Sequence, residues 1–464
     1  MTARSGADAD PPPPPGAGRG PGYDPQRMDD PMGGRPPGLG THVWIINHYA
    51  VAPDRAAAAG SRHFDLARSL VARGHEVTIF AAGLNHVTGR EERLDRRRLY
   101  HTESFEGVRF VWLRTTPYRG NTWRRLVNMF SFVAAFLVVQ TRVGRPNVVV
   151  GSTVHPFAAL GGWLAARPRG ARFVLEIRDL WPQTLVDLGE LRVGSPGERV
   201  LRAIEAFLVR RATVVITLLP GMREYLTEQG LPAGHVVYIP NGVDLTAFGI
   251  DQTDESPVPD ALDRSLREIR RMQGEGRFVL GYTGTFGRVN RLDVIVRAVE
   301  IAEQRAPGRI GLIFVGDGPE RQNLARLAER VPAVVFGKPI PKRLVPTILR
   351  AMDGTVVHAT TNPVYRYGIS FNKLFEYMAV GRPVVFACES VYDPVAATGA
   401  GITATPDDPE LIASAFLELA ASSMKTRSVM GAAGRQYVEE RHNLEQLGAA
   451  FAAVVEGVAS EREA

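Results

Sequence analysis

The feature that most constrains this chain is an alternation of short apolar strands with amphipathic helical stretches, repeated in two series. In the first series, strands at 42–47, 76–81, 147–150, 172–177 and 214–218 are interleaved with helical periodicity such as that of 62–73. Alternation of this kind builds parallel sheets covered by helices on both faces. The pattern stops at Pro240. A polar, proline-containing stretch follows, and a second series starts at Phe278, with strands near 278–282, 312–315, 334–336, 355–358 and 383–387. A chain of 464 residues is also longer than one core usually organises. The expected fold is therefore α/β, with two Rossmann-like, doubly wound parallel-sheet domains. The expected boundaries are a disordered Pro/Gly-rich tail at 1–40, a first domain at 41–250, an interdomain connection at 251–277 and a second domain at 278–440. A C-terminal helix at 441–464 is expected to pack back on the first domain.

Composition removes several classes of function. The single cysteine, Cys388, excludes an internal disulfide and a cysteine-built zinc site. The N-terminus has no apolar stretch of the secretory kind, and no segment reaches the ~18 apolar residues of a membrane span, so a cytoplasmic protein is expected. The formal charge is +6, carried almost wholly by arginine, with lysine only at 338, 342, 373 and 425. No basic block is interleaved with aromatic residues, and nucleic-acid binding is not expected.

In doubly wound sheets ligands sit beyond the carboxyl ends of the strands, so the loops there are where chemistry is sought. Segment 281–287 (GYTGTFG) lies between an apolar strand and a helix with Leu292, Ile295, Val296 and Val299 on one face. Its glycines allow close backbone approach, the helix N-terminus favours an anion, and Arg288 and Arg291 add charge. An ordinary tight turn would explain the same glycines. It is not a GxGxxG fingerprint, and no Walker sequence exists, so hydride transfer and P-loop hydrolysis lose their usual signals. Segment 316–320 (GDGPE) reads as a turn capped by Asp317. In 365–383, Phe371, Leu374, Phe375 and Met378 form one apolar helix face and leave Asn372, Lys373 and Glu376 on the others. A lysine in a helix's first turn opposes the macrodipole unless an anion binds there. Glu376, a turn later, suits sugar hydroxyls such as those of a ribose. A surface Lys–Glu pair is the competing reading. In the first half, 47–53 and 60–63 (GSRH) form the loop after the first strand, and His155, Glu176 and Asp179 stand at strand ends. Helix capping or loop hydrogen bonding would account for any one of them.

The strings at 60–63 and 73–77 (RGHEV), 176–182 (EIRDLWP), 239–244 (IPNGVD), 316–320 and 372–383 (NKLFEYMAVGRP) together resemble bacterial family 4 glycosyltransferases, from residue 42 to the C-terminus. Segments 176–182 and 370–379 are most similar to the subgroup of the fucosamine transferase WbuB. The resemblance implies the GT-B architecture, with the two domains facing a cleft, and retaining transfer of a hexosyl or N-acetylhexosaminyl group. The implied donor is a nucleotide diphosphate sugar, with UDP expected, and the implied acceptor a glycan or polyprenyl-linked molecule of surface polysaccharide or glycolipid assembly. It implies catalytic roles for Arg288, Arg291, Lys373 and His155, and donor binding by Gly284, Thr285, Ser370, Asn372, Leu374 and Glu376. Gly60, Arg62, His63, Glu176 and Asp179 are implied on the acceptor side. No metal and no cofactor are expected, the nucleotide sugar being a co-substrate. Two departures stand out. The first glutamate of the family's Glu-x7-Glu pattern falls on Gly368, so the backbone of 368–370 is expected to make its contact. The family's phosphate-binding Arg and Lys fall on Thr285 and Arg291. A GT-B nucleotide-sugar epimerase and a non-catalytic sugar-nucleotide-binding partner of another transferase remain alternatives.

One apolar run, 129–139, is too short to span a bilayer and is flanked by Trp123, Arg124, Arg125 and Arg142. It reads either as a helix buried in the first domain or as a segment whose start lies against an anionic membrane. The second reading places the protein peripherally at the inner face of the plasma membrane.

Overall fold

The computed structural model describes residues 40–53, 62–85, 88–95, 97–118, 120, 123–187, 189–248 and 259–460. The tail at 1–39, Gly60 and the stretch 249–258 fall outside them. The strands in chain order are β1 His42–Ile46, β2 Glu76–Ala82, β3 Leu84–Asn85, β4 Arg90–Glu91, β5 Tyr100–Phe105, β6 Val108–Leu113, β7 Val148–Ser152 and β8 Arg172–Ile177. They continue as β9 Val214–Thr217, β10 Val236–Tyr238, β11 Phe278–Thr285, β12 Ile310–Asp317, β13 Val334–Gly337, β14 Gly354–His358, β15 Val384–Ala387 and β16 Gly401–Ala404.

Two open sheets result. The first runs β10-β9-β8-β7-β1-β2-β6-β5 and is parallel except for its edge strand β5, which pairs antiparallel with β6. The second runs β13-β12-β11-β14-β15-β16 and is parallel throughout. Alternation along β1 shows why both faces are covered: Val43 and Ile45 join one apolar cluster, Trp44 and Ile46 the other. Strand order reverses direction between β1 and β7 in the first sheet and between β11 and β14 in the second. Those are the switch points at which ligands are expected. The loops that follow β1, β7 and β11 therefore carry the site.

Of the stretch read as a connection at 251–277, residues 251–258 lie outside the described residues, and most of the rest is helical. Asp260–Gly274 is a helix whose Leu262, Ile269 and Met272 pack with Val279, Ile313 and Val315 in the second half's core. Its apolar stripe is sparse among arginines and glutamates, which is why it reads as linker. At the other end, helix Leu444–Ser460 sets Leu447, Phe451, Val455 and Val458 into the first half's core beside Val43, Ile45 and Leu70. The chain crosses between halves at 240–244 and returns at 442–444, and the two crossings are bonded to each other. Val243 N–H donates to His442 O, and Leu444 N–H to Val243 O.

Candidate active site

A cleft of about 620 Å³ separates the two sheets' carboxyl ends. His48, Tyr49, Asn85, Arg93 and Trp112 line it from the first half, and Gly284, Thr285, Asp317, Lys342, Asn372, Lys373 and Glu376 from the second. That both halves contribute follows from the two switch points facing each other.

On the second-half wall, Lys373 opens helix Asn372–Ala379. Its Nζ donates to the Tyr282 hydroxyl and to Asn290 Oδ1, each at 2.8 Å, and lies 4.7 Å from the Tyr282 ring centre. Both partners are neutral. Burial pushes its pKa down to about 8, with Glu376 acting in the opposite direction. An ammonium held without a bonded carboxylate at a cleft wall keeps its charge for an incoming anion. Its partners are themselves fixed: Tyr282 donates to Thr285 O at 2.8 Å, and Asn290 Nδ2 donates to the same carbonyl at 3.0 Å. Behind them, His358 accepts from Asp407 N–H through Nε2, so its Nδ1 carries the hydrogen and donates to Asn290 O. One turn along the helix, Glu376 is ion-paired with Lys342.

The two arginines expected to bind phosphate stand elsewhere. Arg288 has a side chain 90% exposed and pairs with Glu320 at 3.3 Å. Arg291, at φ +39°, is held by Asp293 at 3.0 Å and by Asp407 at 3.5 Å. Neither lines the cleft, and each guanidinium meets carboxylates of its own half. Leu374 is fully buried in the core, and its N–H donates to Phe371 O, so it has nothing to offer a donor.

The departure at Gly368 has a steric cause. Its φ is +109°, and a Cβ there would overlap the Pro220 ring. The surrounding loop docks on the first half, with Gly221 N–H donating to Tyr367 O at 2.9 Å and Asn241 Nδ2 to Ser370 O at 3.0 Å. The carbonyls of Tyr367 and Ser370 thus join the halves, and neither Gly368 nor Ser370 lines the cleft.

On the first-half wall, His155 is fully buried and caps helix Pro156–Ala166, so it is not at the cleft surface as expected. Burial pushes its pKa down to about 3, and the Arg125 charge adds to this. Its Nδ1 accepts from Ala158 N–H, which leaves the hydrogen of the neutral ring on Nε2, 2.8 Å from His48 Nδ1. His48 therefore accepts there and carries its own hydrogen on Nε2. His48, stacked on Phe132 with ring centres 4.3 Å apart, is the residue that lines the cleft.

Arg62, His63 and Glu176, expected on the acceptor side, are bonded to one another. Arg62 Nε and His63 Nε2 meet Glu176 at 2.9 and 2.5 Å, and Arg62 also donates to the carbonyls of Ile239 and Pro240. All three are buried. Desolvation would raise the Glu176 carboxyl, but the adjoining His63 and Arg62 hold it well below its ordinary range. Asn47 Oδ1 accepts from Tyr49 N–H, which turns Nδ2 toward His63 Nδ1 at 2.6 Å. The network thus pins the cleft loop after β1 to β8 and to the crossing at 239–240. Asp179 is exposed and stands outside the lining of the cleft.

Gly284, Thr285, Asn372, Lys373 and Glu376 are therefore the expected residues that the fold brings to one wall. Lys342, Tyr282, Asn290 and His48 were missed. Lys342 could have been found, since it is one of only four lysines and follows a strand of the second sheet. Among the described residues, no group of three or more His, Cys, Asp or Glu is arranged to hold a metal.

Comparison with known proteins defines the class. Residues 59–242 match the glycosyl transferase 4-like domain and residues 277–422 the glycosyl transferases group 1 family. The two halves are glycosyltransferase domains, and the chain belongs to the GT-B glycosyltransferases with a family 4-like first half. Among curated proteins it is similar to the probable glycosyltransferase WbjE of Pseudomonas aeruginosa, 21% identical over 344 residues, covering 73% of this chain and 81% of that one. Among solved structures it is similar to sucrose-phosphate synthase from Thermosynechococcus elongatus, with a TM-score of 0.65 and 20% identity over 88% of this chain and 96% of that one. HepE of Anabaena, solved with UDP and glucose, has a TM-score of 0.61 and 14% identity over 90% of this chain and 100% of that one.

Proposed function

We propose that the cleft binds a UDP-sugar on its second-half wall and transfers a hexosyl or N-acetylhexosaminyl group, with retention, to a glycan or polyprenyl-linked acceptor on the first-half wall. Lys373 carries the proposal, being a half-buried ammonium with neutral hydrogen-bond partners facing the cleft. As the sugar leaves, negative charge grows on the diphosphate, and preorganised cations stabilise it where water would have to reorganise. Lys373 takes that part, with Lys342 beside it. The arginines at 288 and 291 are not needed for it. Glu376 takes the ribose hydroxyls, exchanging part of its ion pair with Lys342 for them. The donor phosphate accepts the acceptor's proton on the same face, so no side chain is assigned as general base. The nucleotide sugar is a co-substrate, and the reading includes neither a metal nor a cofactor in the transfer step.

The similarity to the probable glycosyltransferase WbjE supports sugar transfer, and the WbuB-like strings point to surface-polysaccharide assembly, for which we propose a place at the cytoplasmic face of the plasma membrane. The HepE structure with UDP and glucose supports UDP as the nucleotide. The test is incubation with a panel of nucleotide sugars and lipid-linked acceptors, with the product identified by mass spectrometry and its anomeric configuration by NMR. Transfer from a UDP-sugar with retention, unaffected by a chelator, is the expected result. An epimerised nucleotide sugar formed without acceptor, or an inverted linkage, would overturn the reading.

A further inference from the structure

We propose that the outer surface of the first half's helix layer docks on an anionic lipid bilayer. On the sheet face opposite the C-terminal helix, helices Trp123–Val139, Pro156–Ala166 and Pro196–Arg211 lie side by side. A surface helix ordinarily turns polar residues outward. The first of these turns apolar ones outward instead. Trp123, Val127, Phe130, Ala134 and Val138, spaced i, i+4, i+7, i+11 and i+15, are all exposed, Trp123 by 70% and Phe130 by 54%. The second helix extends the surface, with Phe157 ring-packed 4.6 Å from Phe130 and Leu164 exposed two turns on. The third joins through Phe207, 4.7 Å from Trp163, and exposes Val200. A contiguous apolar area of this kind on a soluble fold marks an interaction surface.

Charge decides the partner. Between Glu106 and Glu176 the sequence has ten arginines and no aspartate or glutamate, in a chain that holds 49 acidic residues. Arg124, Arg142, Arg145 and Arg167 are exposed around the apolar stripes. A second copy of this chain docking face to face would oppose cation to cation. A bilayer with anionic headgroups instead receives the apolar side chains at its acyl boundary while the guanidiniums stay with the phosphates. No helix among the described residues is long and apolar enough to cross a membrane, so the contact is peripheral. The buried face of the same helix stacks Phe132 on His48 of the cleft, so one helix joins the proposed surface to the site. The inference rests, for its purpose, on the lipid-linked acceptor proposed above, but its test uses no donor and is independent of transfer.

The full chain is sedimented with vesicles of phosphatidylcholine alone and with added phosphatidylglycerol. Binding only to the second, weakening with salt, is expected. Arg124→Gln with Arg142→Gln should weaken it by about 25-fold, each arginine contributing about 5-fold (~1 kcal/mol). Phe130→Gln with Val138→Gln should also release the protein, and both variants should keep the parent's circular dichroism and UDP affinity. If a variant misfolds, the parent still decides: its tryptophan fluorescence should be quenched by spin-labelled lipid, and Trp123→Phe should lose most of that quenching. Equal binding to neutral vesicles, or no quenching, overturns the proposal. A dimer in velocity sedimentation that Phe130→Gln converts to monomer would overturn it too, assigning the face to a second copy.

Discussion

Lys373 should be a residue that the empty protein carries at a loss and the liganded enzyme requires. Its pKa falls from the ordinary 10.5 to about 8 because burial disfavours the ammonium. Between those values the unfolded chain holds a proton that the folded one has released, so stability rises with pH across the window. Below pH 8 the cost is complete, on the order of 3 kcal/mol at 1.36 kcal/mol per unit. Lys373→Met removes that cost but leaves Tyr282 and Asn290 without their donor, which takes back about 1 to 2 kcal/mol. The net expectation at pH 7 is a variant more stable by ~1 to 2 kcal/mol, with an advantage that shrinks by pH 9.5 as the parent's lysine becomes neutral. UDP binding should move the other way. Losing a charge-assisted contact costs roughly 1.5 to 3 kcal/mol, about 10- to 150-fold in Kd. Calorimetric titration with UDP and urea unfolding at the two pH values measure both quantities. In the parent, affinity should fall as pH rises through 8, and in the variant it should not. A variant that is less stable at pH 7, or one with unchanged UDP affinity, would refute the assignment.

Glu376→Gln should weaken binding of UDP itself in the same titration, whereas an effect confined to the UDP-sugar would remove the ribose role. Gly368→Ala forces a side chain into positive φ against Pro220, so it should lower the melting temperature by a loss of about 1 to 3 kcal/mol and increase the radius of gyration in small-angle scattering as the halves part. Arg62→Met leaves the buried Glu176 without its guanidinium, and urea unfolding should show a loss of about 3 to 5 kcal/mol, with the UDP affinity of the folded fraction unchanged.

The two sheets were legible because parallel strands buried on both faces are written as runs such as Val148–Ser152 and Val384–Ala387. Tyr100–Phe105 was not, since an edge strand with alternating polar residues has no such run. Helix Asp260–Gly274 was hidden by the charge on its outer face. In the site, Lys373 and Glu376 could be read because they interrupt the periodicity of one helix. Arg288 and Arg291 stand off the cleft wall for an instructive reason. Sequence shows a cation near a phosphate-sized loop, but not the carboxylates Glu320 and Asp407 that the fold brings to it from 32 and 116 residues away. Arg62, His63 and Glu176 are a similar case, since polar residues at strand ends serve a site or satisfy one another, and the mutual pairing is visible only in three dimensions.

Gly368 shows how such a departure is to be weighed. At this position the chain adopts a conformation that excludes a side chain, and it does so where Tyr367 and Ser370 carbonyls bond Gly221 and Asn241 of the other half. Tyr367 is fixed from a second side by its hydroxyl on Glu228 and its ring against Tyr225 at 5.2 Å. A glutamate there would have to break these ties before it could reach a sugar. The residue that stands in for the family's glutamate therefore lies in a loop that holds the halves together. On the proposed reading, recognition of the donor sugar passes to the walls that remain, Asn372 beside Lys373 and His48 with Tyr49 opposite. His155 matters to that wall as a positioning residue, because its hydrogen bond sets which nitrogen of His48 carries the proton.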